Sequence, residues 1–133
     1  MGRILIVEDN PTFRQTFRGL LEARFSSMHF DEAKDGKEAF QKISESLPDL
    51  VFMDIKLPGE NGLELTERIK NSHPHITVII LTSYDLPEYR HAAREKGASH
   101  FIVKGSSTAD EILGLVEAFF TGAGPSQSTE KED

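Results

Sequence analysis

Short apolar runs alternate with stretches of helical periodicity along nearly the whole chain. Arg3-Ile4-Leu5-Ile6-Val7 is the first run, and it ends at Glu8-Asp9. Leu50-Val51-Phe52-Met53 leads unbroken into Asp54 and is closed by Pro58-Gly59. Ile76 to Leu81 is the strongest β pattern and delivers Thr82-Ser83. Runs this short, bounded by turn signals, fit strands buried on both faces. Met28 to Ala33 alternates weakly and predicts an edge strand, and Ser99 to Val103 predicts a fifth strand ending at Lys104.

The intervening segments read as helices. Asn10-Pro11 supplies an N-cap with proline at the first helical position, and Phe13, Phe17, Leu20, Leu21 and Phe25 follow at helical spacing. These phenylalanines read as core. Asp35-Gly36 predicts a turn before a helix whose apolar face is Ala39, Phe40, Ile43 and Leu47, stopped by Pro48-Asp49. Asn61 can cap a helix turning Leu65 and Ile69 inward, with Glu64 and Arg68 as a solvated i,i+4 pair. The helix from about Leu86 to Lys96 has a thin apolar face of Tyr89, Ala92 and Ala93, which predicts a loosely held element. Gly97 suits its C-terminal cap. The last helix follows Gly105-Ser106-Ser107 and carries Ile112, Leu113, Val116, Phe119 and Phe120 on one stripe. Alternation of this kind predicts an α/β fold, a doubly wound parallel sheet of five strands flanked by five helices. Residues 1–121 form the expected domain, and 122–133 have the composition of a disordered tail or linker.

Length and composition narrow the function classes. The 133 residues suffice for one core without staples, and the chain has no cysteine, hence neither disulfides nor a zinc-thiolate site. A cytoplasmic location suits that composition. Met1-Gly2-Arg3 leads straight into a strand rather than a signal-peptide core, and no apolar run approaches a membrane span. The net charge of −7 opposes direct binding to a nucleic-acid backbone.

In a parallel sheet the ends of the strands share one edge, which collects Glu8, Asp9, Asp54, Thr82 and Lys104. Singly these are ordinary residues: a solvated acidic turn, a strand-end hydroxyl, a surface lysine. Together they place three carboxylates where they raise one another's pKa unless a cation joins them. Oxygen donors without Cys, and without His at these ends, favour Mg²⁺. A hydroxyl and an ammonium beside them suit phosphoryl oxygens, so the group suggests phosphoryl transfer onto a carboxylate, with Asp54 as nucleophile.

Glu8-Asp9, Asp54 with Pro58 and Gly62 behind it, Thr82, and Phe101 three residues before Lys104 occur in order from Arg3 to Phe120. The chain therefore resembles the receiver domain of two-component response regulators of the chemotaxis-regulator type. The resemblance implies a flavodoxin-like strand order 2-1-3-4-5. It implies that Asp54 accepts a phosphoryl group from a sensor histidine kinase, a phosphotransfer protein or a small phosphodonor. Mg²⁺ would be held by Asp9, Asp54, the Lys56 backbone carbonyl and, largely through water, Glu8. Lys104 would pair with the phosphoryl oxygens, while Thr82 and Phe101 would switch the surface of the fourth helix, fifth strand and fifth helix, through which a homodimer is conceivable.

Two departures from the family pattern stand out. Gly105 follows Lys104 where the family has proline with a cis bond, which predicts a trans bond or a glycine-specific conformation. Lys56 and Tyr84 occupy positions that in the family tune loss of the phosphoryl group, and their bulk is expected to hinder water. Two other function classes compete. A binding module that ignores phosphate would keep the fold, and an aspartyl-phosphate phosphatase would need a carboxylate where Lys56 stands. No glycine-rich phosphate loop supports a nucleotide-binding domain. Output stays open between a stand-alone regulator and the receiver of a longer protein. The Gly105-Ser106-Ser107 entry is similar to that of transcription regulators with a helix-turn-helix domain, but this domain itself is expected to touch neither nucleic acid nor membrane.

Overall fold

The apolar runs become strands β1 (Arg3–Val7), β2 (His29–Ala33), β3 (Leu50–Met53), β4 (Thr77–Thr82) and β5 (His100–Val103) in a computed structural model that describes residues 2–122. Helices α1 (Pro11–Arg24), α2 (Gly36–Ser46), α3 (Gly62–Ser72), α4 (Pro87–Glu95) and α5 (Ala109–Thr121) alternate with them. All pairings are parallel, in the order β2-β1-β3-β4-β5. The expected doubly wound, flavodoxin-like fold is therefore present. Of the tail expected at 122–133, only Gly122 lies within the described residues; it caps α5 in the left-handed region at φ 72°.

Period-two alternation sorts the strand side chains onto two faces. Val7, Val51, Met53, Val78 and Ile80 pack on one face with Ala39, Ile43, Leu65 and Ile69 from α2 and α3. Ile4, Ile6, Phe52, Ile79 and Leu81 pack on the other with Phe17 and Leu21 of α1 and Leu113 and Val116 of α5. The central strands are buried on both faces, which is why their sequences read as continuous apolar runs.

Helix starts follow their caps. Asn10 Oδ1 accepts from Phe13 N at 3.1 Å, and Asn61 Oδ1 accepts from Leu63 N and Glu64 N. Asp35 is not a turn residue but the cap of α2, accepting from Glu38 N at 3.0 Å, with Gly36 already helical. The turn reading failed because Asp-Gly serves hairpins and helix starts alike. The Thr108–Glu111 capping box of α5 passed unread in the sequence.

Three local expectations need correction. Leu47 is exposed as the cap of α2 at φ 29° and takes no part in the core. Arg68 pairs with Glu60 rather than Glu64, and its guanidinium stacks on the Phe40 ring at 4.4 Å. Stacking and a loop partner outcompete a solvated helical pair. β2, β4 and β5 each begin one residue later than expected, at His29, Thr77 and His100, and β4 also runs one residue further, which makes Thr82 a strand residue.

Candidate functional site

Strand register brings the predicted residues to one edge. Val7 pairs with Met53, Met53 with Ile80, and Thr82 with Val103, so the residues that follow emerge side by side. The backbone holds them there: Asp54 N donates to Val7 O at 3.0 Å, Glu8 N to Ala33 O at 2.9 Å, and Lys104 N to Thr82 O at 2.8 Å. Carboxylate oxygens of Glu8, Asp9 and Asp54 lie within 4.8 Å of one another. Lys104 Nζ bridges two of them, donating to Glu8 Oε1 at 2.5 Å and to Asp54 Oδ2 at 3.3 Å.

Glu8 and Asp54 are buried and Asp9 is exposed. Burial pushes the Glu8 carboxyl above its ordinary value of 4.5, and the nearby Asp54 charge adds to this against the opposing pull of Lys104 and the Asn10 amide. The second oxygen of Asp54, Oδ1, accepts from Ile55 N at 2.8 Å. Behind Asp54, a Cβ on Gly62 would come within 1.8 Å of the Asp54 carbonyl oxygen, so only glycine lets α3 start this close.

The other predicted residues surround this centre. Thr82 is fully buried, and its Oγ1 accepts from Tyr84 N at 3.4 Å. Lys56 is exposed, its ammonium 5.1 Å from the Tyr84 ring and 5.6 Å from the Tyr89 ring. Tyr84 and Tyr89 meet edge to face, so these three side chains tie the loop after β3 to the start of α4. Phe101 is half-buried on the α4 side, with the Arg90 guanidinium 4.8 Å from its ring. Gly105 takes the glycine-specific conformation that was expected, at φ 84°, and the described residues contain no cis peptide bond.

Two residues at the site were not anticipated. Arg14 donates through Nη1 to the Glu8 carbonyl at 2.7 Å and through Nε to Glu32 at 2.6 Å. Phe13, read from sequence as core, lays its ring 4.3 Å from the Lys104 ammonium. The Glu32 and Lys104 contacts have no signature in the local sequence, because those partners come from β2 and from the end of β5.

Chemically, three carboxylates face one ammonium. Among the described residues, Lys104 is the salt-bridge partner of Glu8 and Asp54, and Asp9 has none. An all-oxygen donor set with surplus negative charge fits a small hard cation such as Mg²⁺.

The chain matches the model of the response regulator receiver domain over residues 4–117. It belongs to that family. The transcriptional regulatory protein LnrK of Bacillus subtilis is 36% identical over 122 residues, 92% of this chain and 55% of that protein. The oxygen regulatory protein NreC of Staphylococcus carnosus is 33% identical over 121 residues, 90% of this chain and 55% of that protein. This receiver chain thus spans about half the length of these curated relatives. A LuxR-family two-component response regulator from an Aurantimonas species superposes with a TM-score of 0.83 at 33% identity, covering 98% of this chain and 94% of that one. A CheY-like receiver domain from Methanospirillum hungatei also gives 0.83, at 27% identity, covering 100% of this chain and 99% of that one. The protein is accordingly a signalling domain of the two-component type. Among the described residues no helix is long and apolar enough to cross a membrane.

Proposed function

We propose that this receiver domain, residues 1–121, accepts a phosphoryl group on Asp54 in a Mg²⁺-dependent reaction and relays that event through the α4–β5–α5 surface. The observation that carries this reading is the Lys104 ammonium between Glu8 and Asp54, with the Asp9 carboxylate beside them. Asp54 presents a carboxylate oxygen to phosphorus. The P–N bond of a histidine-kinase phosphohistidine, or the P–O bond of a small phosphodonor, breaks as a P–O bond forms to Asp54, and the leaving group keeps the electron pair. Glu8, Asp9, Asp54 and the Lys56 carbonyl would hold the cation. When bound, Mg²⁺ supplies a hard positive charge that offsets the charge on the phosphoryl oxygens.

Lys104 is in reach of the same oxygens, and Thr82 would turn its hydroxyl from the Tyr84 amide towards them. That movement frees space on the α4 side for Phe101 and loosens the start of α4. The donor would be a sensor histidine kinase or a phosphotransfer protein in the cytoplasm. Output would be transcriptional, in keeping with the transcriptional regulatory protein and LuxR-family regulators it resembles. A homodimer through α4–β5–α5 is the assembly that this output favours.

Intact-mass spectrometry after incubation with acetyl phosphate tests the reading. Wild type should gain one phosphoryl group only with Mg²⁺, and Asp54→Ala should gain none. A folded wild type that stays unlabelled beside a labelled control receiver would instead favour a binding module that ignores phosphate. Lys56 clasped by Tyr84 and Tyr89 walls the same edge, so Tyr84→Ala should shorten the life of the phosphorylated form. An unchanged rate of phosphoryl loss in Tyr84→Ala would remove that residue from the account.

A further inference from the structure

We infer that Phe13 is a positioning residue for Lys104 in the phosphoryl transfer proposed for Asp54, a role that rests on that reading. Lysine is a point charge on a flexible four-carbon stem, so its ammonium must be held if it is to meet the phosphoryl oxygens without reorganisation. The backbone, held by Lys104 N to Thr82 O at 2.8 Å and Ser106 N to Val103 O at 3.1 Å, fixes only where that stem begins. Gly105 leaves the strand at φ 84°, and a Cβ placed there would meet no atom within 4 Å. The side chain itself is braced. Among the described residues its ammonium has two hydrogen-bond acceptors, Glu8 and Asp54, and the Phe13 ring lies 4.3 Å away. An aromatic face is electronegative and attracts a cation without competing for an oxygen's place among its donors.

Phe13 is itself well placed. It stands in the first turn of α1, where its amide donates to the capping Asn10 Oδ1 at 3.1 Å. Its ring stacks on Phe17 at 5.8 Å, and Phe17 meets the buried Phe52 edge to face at 4.9 Å. Phe52 lies two residues before Asp54 on β3. A row of three rings therefore connects the strand that delivers Asp54 to the ammonium that must face it. Phe17 and Phe52 are buried in the core; Phe13 packs against the same cluster but stays half-buried, and its ring also reaches the Lys104 ammonium.

The test replaces Phe13 by 4-fluoro- and 3,4,5-trifluorophenylalanine, which weaken the negative face of the ring while nearly preserving its shape, and by leucine. Acetyl phosphate as donor, at saturating Mg²⁺, keeps the docking of a protein donor out of the measurement. Rates should fall stepwise with fluorination, to about fivefold below wild type in Phe13→Leu. Independently, the ε-methylene protons of Lys104 in the metal-free protein should resonate upfield through the ring current and return to the ordinary lysine position in Phe13→Leu. A slow leucine variant with a flat fluorinated series would make Phe13 a packing residue and overturn the inference, as would unshifted Lys104 resonances in wild type. A wild type that takes up no phosphoryl group would instead sink the phosphoacceptor reading, and the positioning role with it.

Discussion

Glu32 sits between two guanidinium groups, Arg14 Nε at 2.6 Å and Arg18 Nη1 at 2.9 Å, and joins α1 to the edge strand β2. Burial acts to raise its pKa, but the hydrogen bonds and charges of Arg14 and Arg18 outweigh it and hold the carboxyl below its ordinary value of 4.5. A folded pKa below the unfolded one stabilises the fold above the unfolded value, and the contribution is lost as pH falls through the folded value. Glu32→Gln should therefore cost roughly 1 kcal/mol in urea denaturation at pH 7. The gap to wild type should close as both are titrated below 4.5. A constant gap down to strongly acid pH would show that packing, not charge, sets the loss. Arg14 also donates to the Glu8 carbonyl, so this pair steadies the loop that carries the acidic residues. Pairings of this kind were invisible in the sequence, where Arg14 and Glu32 are simply charges on separate elements.

Among the helices, α4 stands apart in how little holds it. Ala93 is its one buried residue, whereas α3 buries Gly62, Leu63, Leu65, Thr66 and Ile69. Its N-cap is Leu86, which offers no side-chain hydrogen bond, while caps on Asn10, Asp35, Asn61 and Thr108 secure the other helices. Contacts at its start come from the surface instead: Asp85 with Arg90 at 2.7 Å, and Lys56 with Tyr84 and Tyr89. Exposed ion pairs of this sort contribute about 1 kcal/mol or less. Hydrogen exchange should therefore be faster at the amides of α4 than at those of α3, and equal protection in the two helices would contradict a loosely held α4. This low burial was legible beforehand in the thin stripe of Tyr89, Ala92 and Ala93. The cation–aromatic cluster at its start was not, because Lys56 reaches it from the loop after β3.

At the scale of the whole molecule, the alternation of apolar runs and helical stripes was enough to read the fold, since a sheet buried on both faces leaves few other sequences possible for β1, β3 and β4. The acidic residues, Thr82 and Lys104 were legible for a related reason: parallel strands carry whatever follows them to a common edge. What stayed hidden was set by tertiary approach, as in the Phe13 ring over Lys104 and the Gly62 contact with the Asp54 carbonyl. The same convergence has a cost to stability. Carboxylates of Glu8, Asp9 and Asp54 crowd within 4.8 Å in a chain whose net charge is already −7, and Lys104 offsets their repulsion only in part, leaving a charge that the proposed cation would relieve. Mg²⁺ that binds only the folded state should stabilise it by about 2.7 kcal/mol at a hundred times its dissociation constant. Asp9→Asn removes both a proposed ligand and a like charge, so its metal-free melting temperature should exceed that of wild type while its Mg²⁺-dependent rise shrinks. Thermal melts with sodium chloride matched for ionic strength separate binding from general screening. If wild type and Asp9→Asn rose equally with Mg²⁺, the cation would be acting on the molecule's charge at large, and the acidic edge would lose its claim to be the site.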